Sequence, residues 1–166
     1  LIQLQKSGRY VIVSFGNHTM SHIPTGKTAM PIFFTIETEA NYFLSRYVGK
    51  LSDTDLVHYY SKDFFGCGKW VPGANELVDL SQADLGQITA QGVEELITYR
   101  LSVFKASPIK APVKVAVYAT RDLGFGLARM YEALTDTSLE ELMVFRSVEG
   151  AVTWLASPLP LDRTAN

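Results

Sequence analysis

Cysteine is nearly absent from this chain. Cys67 stands alone among 166 residues, so no internal disulfide can form, and a reducing compartment is expected. Histidine is almost as scarce, at His18, His22 and His58. Nucleophilic catalysis needs a hydroxyl or thiol beside an oriented base. None of these histidines falls at a strand end near Asp79, Ser81 or Asp122, so enzymatic chemistry is not expected. No excess of basic residues exists either: 15 Lys and Arg against 17 Asp and Glu leave a formal net charge of −2. That excludes the positive field needed for nucleic acid or an anionic membrane. No apolar run reaches the roughly 18 residues of a membrane span. The first residues lack the apolar segment of a secretory signal. The expectation is a cytoplasmic protein without metal or other cofactor, and without internal repeats.

The length suits one domain, and a chain of this size buries roughly 70% of its unfolded surface. Its organising stretch is Val113 to Leu134. Val113, Val115 and Val117 alternate with Lys114, Ala116 and Tyr118. Both faces are largely apolar, as in a central strand. Thr120 or Asp122 is placed to cap the following helix. In that helix Leu123, Leu127, Met130, Tyr131 and Leu134 recur at helical spacing. Gly124 and Ala128 lie four apart on another face, where small residues let the backbone approach a neighbour.

Residues 1–29 read as a peripheral extension containing one short strand, Arg9 to Phe15. Ser21 to Thr28, SHIPTGKT, resembles a phosphate-binding loop. Such a loop needs a first glycine and a helix directly after it; here Ser21 replaces the glycine and Pro31 follows. His18 and His22 share helical spacing but have no third ligand nearby. A solvated loop is the expectation for both.

From Met30 the pattern is regular. Pro31 to Gly49 reads as a β-hairpin turning at Glu39 to Asn41, with Gly49 ending it. Ser52 or Asp53 caps a helix with Asp55 in its first turn and Leu56, Tyr59, Tyr60 and Phe64 on its apolar stripe. Glycines 66 and 68 stop it. A strand over Glu76 to Leu80 leaves Asp79, Ser81 and Asp84 at or beyond its end. Thr89 caps a long helix with the stripe Val93, Leu96, Ile97, Leu101 and Phe104, and Pro108 and Pro112 separate it from the Val113 strand. Ser138 and Glu141 form a capping pair, Met143 to Phe145 a strand, and Ser147 caps a last helix facing inward with Val148, Ala151, Val152 and Leu155. The domain spans residues 30–157 and residues 158–166 form a tail. Strand–helix–strand repeats imply parallel pairs with right-handed crossovers, so the expected class is α/β with a mixed sheet.

Several segments resemble the SpoIIAA-like bacterial proteins, related to STAS and Sec14 domains. They are Tyr47 to Ser52, Leu77 to Ser81, Phe125 to Glu132, Val144 to Arg146 and Ala151 to Leu155, within about Met30 to Ala156. The resemblance implies a STAS-like fold and a non-catalytic module that binds a regulatory protein partner in bacterial signalling. The surface for that would hold Asp79, Ser81, Asp84, Thr89, Arg121 and Asp122, on a loop from Asp79 to Thr89 and the helix after it. In anti-sigma factor antagonists of this fold a serine in a D-S-S-G pattern is phosphorylated. The matching stretch, Ile88 to Gly92, lacks the aspartate and the serine pair, so Thr89 reads as a helix cap. The Sec14 relation implies an alternative: a carrier or sensor of a small apolar ligand, with Tyr59, Tyr60, Phe64, Phe125 and Trp154 lining its pocket.

Overall fold

The computed structural model describes residues 42–158 apart from residue 69, together with Ile32 and the strand backbones that precede them. The SHIPTGKT loop beyond Pro24, the Glu39 to Asn41 turn, the side chains of His18 and His22, and the tail beyond 158 lie outside the described residues. Strands β1 (Ile2–Ser7), β2 (Tyr10–Phe15), β3 (His18–Pro24), β4 (Ile32–Glu37) and β5 (Tyr42–Ser52) pair antiparallel in succession. The hairpin expected around residue 40 is present, with Glu37 opposite Tyr42.

The sheet then becomes parallel. Strands β6 (Asn75–Gln87), β7 (Val113–Tyr118) and β8 (Glu140–Phe145) follow β5 in spatial order. The intervening helices are α1 (Asp53–His58), α2 (Ala90–Ala106) and α3 (Asp122–Leu134), and α4 (Val148–Ala156) closes the chain. Strand order is sequential, so each right-handed crossover falls on the same side. One core accordingly joins α1, α2 and α3 to Phe43, Val78, Val113, Val115, Val117 and Leu142. A smaller core on the opposite face joins α4 to Leu77 and Ala116. β7 is buried on both faces and paired on both edges, as its valine alternation requires. Even Lys114 is buried there: its stem crosses the small core, and its ammonium donates to the Trp154 and Ser157 carbonyls at 2.9 and 2.6 Å. Long cationic side chains bury their stems in this way when the head group is bonded.

Local signals set several boundaries as expected. Ser52 and Asp55 form a reciprocal capping box, Ser52 N–H donating to Asp55 at 2.8 Å, and the helix continues as a π-helical turn, Tyr59–Phe64. Leu56, Tyr59, Tyr60 and Phe64 are buried and His58 is exposed. Thr89 caps α2 and Ser147 caps α4.

Residues 1–29 hold three paired strands where one was expected, and His18 to Pro24 is strand β3 rather than loop. Five further expectations need correction. Gly49 does not end β5; it adopts φ +74° within it, a conformation glycine reaches without strain, beside a register shift between Lys50 and Ser52. With β5 prolonged, β6 also runs on, pairing Gln82 with Val48 and Gln87 with Ser52. The stretch from Asp79 to Gln87 is therefore strand, not loop. It leaves β7 behind after Asp79 pairs Tyr118, and projects with β5 as a two-stranded ribbon whose Ala83 and Leu85 are buried. Third, α3 buries Gly124, Ala128 and Tyr131, while Leu123 and Leu134 are 54% and 51% exposed. Packing on its smallest residues brings the helix closest to the sheet. Its N-cap is Arg121, with no side-chain cap; the Asp122 carboxylate instead accepts from Arg146 at 2.7 Å. Fourth, Ser138 bonds Asp136, its hydroxyl at 2.6 Å, and Glu141 lies in β8. Fifth, Val148 in α4 is 39% exposed, being in the first turn, ahead of the sheet contact made by Ala151 and Leu155.

Candidate functional site

The helical layer and the sheet do not close completely. Between β5 to β8 and helices α2 and α3 lies a cavity of about 80 Å³. Its walls are aliphatic: Val78, Leu80, Leu85, Val115, Val117 and Leu142 from the sheet side, Val93, Leu96, Leu127 and Ala128 from the helices. The half-buried members of the lining, Leu80, Ile88 and Leu127, mark its open end. They lie at the C-terminal ends of the parallel strands, beside the β5–β6 ribbon and the first turns of α2 and α3. Ligands of open α/β sheets bind at that end.

The opposite, inner end is polar. Arg100 of α2 is 2% exposed and sits on the helix's apolar stripe, four residues from both Leu96 and Phe104. Glu76 and Glu140 are first or second residues of β6 and β8, on the same sheet face as Val78 and Leu142, and are 1% and 0% exposed. Arg100 Nη1 donates to Glu76 at 2.7 Å, while Nε and Nη2 donate to one Glu140 oxygen at 3.0 and 2.7 Å. The Tyr60 ring lies 4.5 Å from the guanidinium. Glu76 also accepts from Ser45 at 2.5 Å and Tyr60 at 3.0 Å, Tyr47 donates to Tyr60 at 3.0 Å, and Ser45 bonds the Tyr59 hydroxyl at 2.7 Å. Burial opposes the charge on Arg100, but Glu140 and Glu76 outweigh it and hold its pKa well above the ordinary value. The phenols of Tyr47, Tyr59 and Tyr60 are pushed up, first by burial and then by Glu76. Tyr131 of α3 lines the cavity, and its phenol is raised by burial and then by Glu140. Its buried hydroxyl makes no hydrogen bond of ordinary geometry, although the Glu140 carboxylate is close enough to act on it. Such a group is costly to leave unsatisfied.

The residues singled out from the sequence are scattered around this cavity. Asp84 and Arg121 come together in a shallow recess at the rim with Leu85, Leu123 and Gly124, Arg121 donating to the Ala83 carbonyl at 3.3 Å. Thr89 is at the start of α2, its hydroxyl donating to Asp53 at 2.7 Å and accepting from Gly92 N–H at 3.0 Å. Asp79 accepts from Arg46 at 2.9 Å and from Ser81 N–H at 2.9 Å; alternation puts it on the α4 side of β6, away from the cavity. Asp122 points outward to Arg146. Of the five aromatics, Tyr60 alone lines the cavity. Tyr59 and Phe64 pack with it in an aromatic cluster. Phe125 lies 4.0 Å from the Arg146 guanidinium, and Trp154 packs on Phe145 and Lys114 across the sheet. The structure does not bring these five together. Arg100, Glu76, Glu140 and Tyr131 were missed as a site, although a charged residue on an apolar helical stripe and glutamates in register with core strand positions are visible signals.

The Thr89 contact yields a first prediction. A Cβ on Gly92 would overlap the Asp53 carboxylate. Helix propensity alone would make Gly92→Ala stabilising by about 1 kcal/mol; the overlap makes it destabilising by roughly 1–3 kcal/mol. Urea unfolding measures this, and the loss should shrink in an Asp53→Gly background.

Among the described residues, no group of three or more His, Cys, Asp or Glu could hold a metal ion, and no helix is long and apolar enough to cross a membrane. The geometry defines a mixed α/β domain with an open apolar cavity beneath one helical layer. No family model and no curated protein matches the chain. Among solved structures it is similar to an uncharacterised DUF3478-family protein from Shewanella loihica PV-4, described as having a SpoIIAA-like fold. Identity is 20%, over 75% of this chain and 91% of that one, with a TM-score of 0.48.

Proposed function

We propose that this chain is a non-catalytic module that carries or senses a small apolar ligand, held between the sheet and helices α2 and α3. One observation carries this reading: an aliphatic cavity open at the C-terminal rim of the parallel strands. Its 80 Å³ is about half the roughly 150 Å³ that admits benzene in an apolar protein cavity. A short linear segment of a few carbons fits, with the remainder of a longer molecule emerging at the rim. Ala128→Leu fills the space from α3. Organic extraction of the purified protein should yield an apolar compound from the parent chain and at least several-fold less from the variant, with the fold retained by circular dichroism.

A regulatory protein partner at the rim is the second reading. It is favoured by the exposed Leu123 beside Asp84 and Arg121 in one recess. If the extract is empty and Asp84→Lys releases a bound protein, this second reading replaces the first.

A further inference from the structure

The inner end of the cavity is chemically selective. Among the described residues Arg100 is the one cation there, and its guanidinium is already committed to two carboxylates, with the Tyr60 and Phe104 rings over it at 4.5 and 5.4 Å. The carboxylates outnumber the guanidinium, so another anion would add like charge in a site walled by aliphatic side chains. Tyr131 is 8% exposed, and among the described residues its hydroxyl is the polar group of this lining without a hydrogen bond of ordinary geometry, the Glu140 carboxylate lying nearby. A phenol can donate one hydrogen bond and accept others. Tyr131 lies one helical turn inward of Leu127, which is at the mouth, so a chain entering at the rim meets it last.

We infer that the cavity takes a neutral amphipathic molecule, an alkyl chain ending in a hydroxyl or carbonyl, with that end bonded to Tyr131, and that it rejects a chain ending in a carboxylate. This rests on the carrier reading above and specifies its ligand class. The hydroxyl or carbonyl oxygen accepts from Tyr131, and the chain fills the space between Val93, Leu96 and Leu127. A ligand group that satisfies a buried orphan discriminates more strongly than one added methylene does, because the orphan remains unpaired with every other ligand.

The test uses the full chain with three probes of equal length: 1-hexanol, hexanoate and hexane, followed by amide NMR titration at neutral pH. Hexanol should bind roughly fivefold more tightly than hexane, the worth of one net hydrogen bond, and hexanoate roughly tenfold or more weakly than hexanol. Tyr131→Phe removes an unsatisfied hydroxyl and should fold normally. It should reduce the hexanol affinity to near that of hexane. If hexane binds but hexanol shows no preference, or hexanoate binds as well as hexanol, the polar-end inference falls and the carrier reading stands. If none of the three binds at millimolar concentration, both fall.

Discussion

Arg100→Met lowers stability by roughly 3–5 kcal/mol, the usual cost of leaving a buried charge without its partner. The substitution preserves much of the apolar stem but removes the donors to Glu76 and Glu140. Two carboxyl groups then face each other at the closed end of the cavity with no cation. Domains are stable by only about 5–15 kcal/mol, so this is a large part of the total. The urea midpoint should fall with little change in its slope, because the surface exposed on unfolding is nearly the same. Combining Arg100→Met with Glu76→Gln and Glu140→Gln should recover most of the loss. Neutral amides do not repel, and Ser45 and Tyr60 can still donate to the residue at position 76. A single variant within about 1 kcal/mol of the parent would mean that the triad is hydrated in solution rather than buried as the geometry has it.

Alkali should unfold the protein steeply. Tyr47, Tyr59, Tyr60 and Tyr131 all have folded pKa values above the ordinary tyrosine value of 10.0, burial being the first cause in each. The unfolded chain therefore releases these protons at lower pH than the folded one. Stability from these groups is complete below pH 10 and is lost as pH rises toward the folded values. Four protons at 1.36 kcal/mol each per pH unit give a slope of roughly 5 kcal/mol per unit. A domain of ordinary stability would be unfolded within about three units. The tyrosinate absorbance of these four, out of the eight tyrosines in the chain, should then appear together with the loss of helical circular dichroism in one transition. Absorbance from more than four tyrosinates with the helical signal intact would show that these phenols reach water in the folded state. Each Tyr→Phe substitution in the set should reduce the slope by about a quarter, provided the remaining network refolds around it.

The Thr89 environment bears on the phosphorylated serine of the resembling antagonists. Its hydroxyl is occupied by Gly92 N–H and Asp53. A phosphate there would gain from the helix N-terminus but would meet the Asp53 carboxylate at hydrogen-bond distance. The capping role read from the sequence is the one observed.

Legibility in the sequence followed how local the deciding force was. The Ser52 capping box, the Thr89 and Ser147 caps and the valine alternation of β7 act over a few residues. The helices after Ser52, Thr89 and Ser147, the hairpin before them and the α/β order could therefore be read directly. Three features were not readable in this way. β6 continues to Gln87 because β5 continues past Gly49 to pair with it, and that pairing joins residues more than thirty positions apart. The buried face of α3 is the glycine–alanine face rather than the leucine stripe, because Leu80, Leu85 and Ala119 approach it closely. The triad is assembled from α2, β6 and β8, with partners 24 and 40 positions apart.

What the amino-acid order determined by itself was the kind of elements and their succession, since backbone preference and apolar period are properties of short windows. Which faces met, where a cavity was left, and that one arginine would be enclosed by two glutamates beneath it were decided only in three dimensions. Burial and electrostatic pairing depend on distance through space, and folding brings together residues that the chain keeps apart.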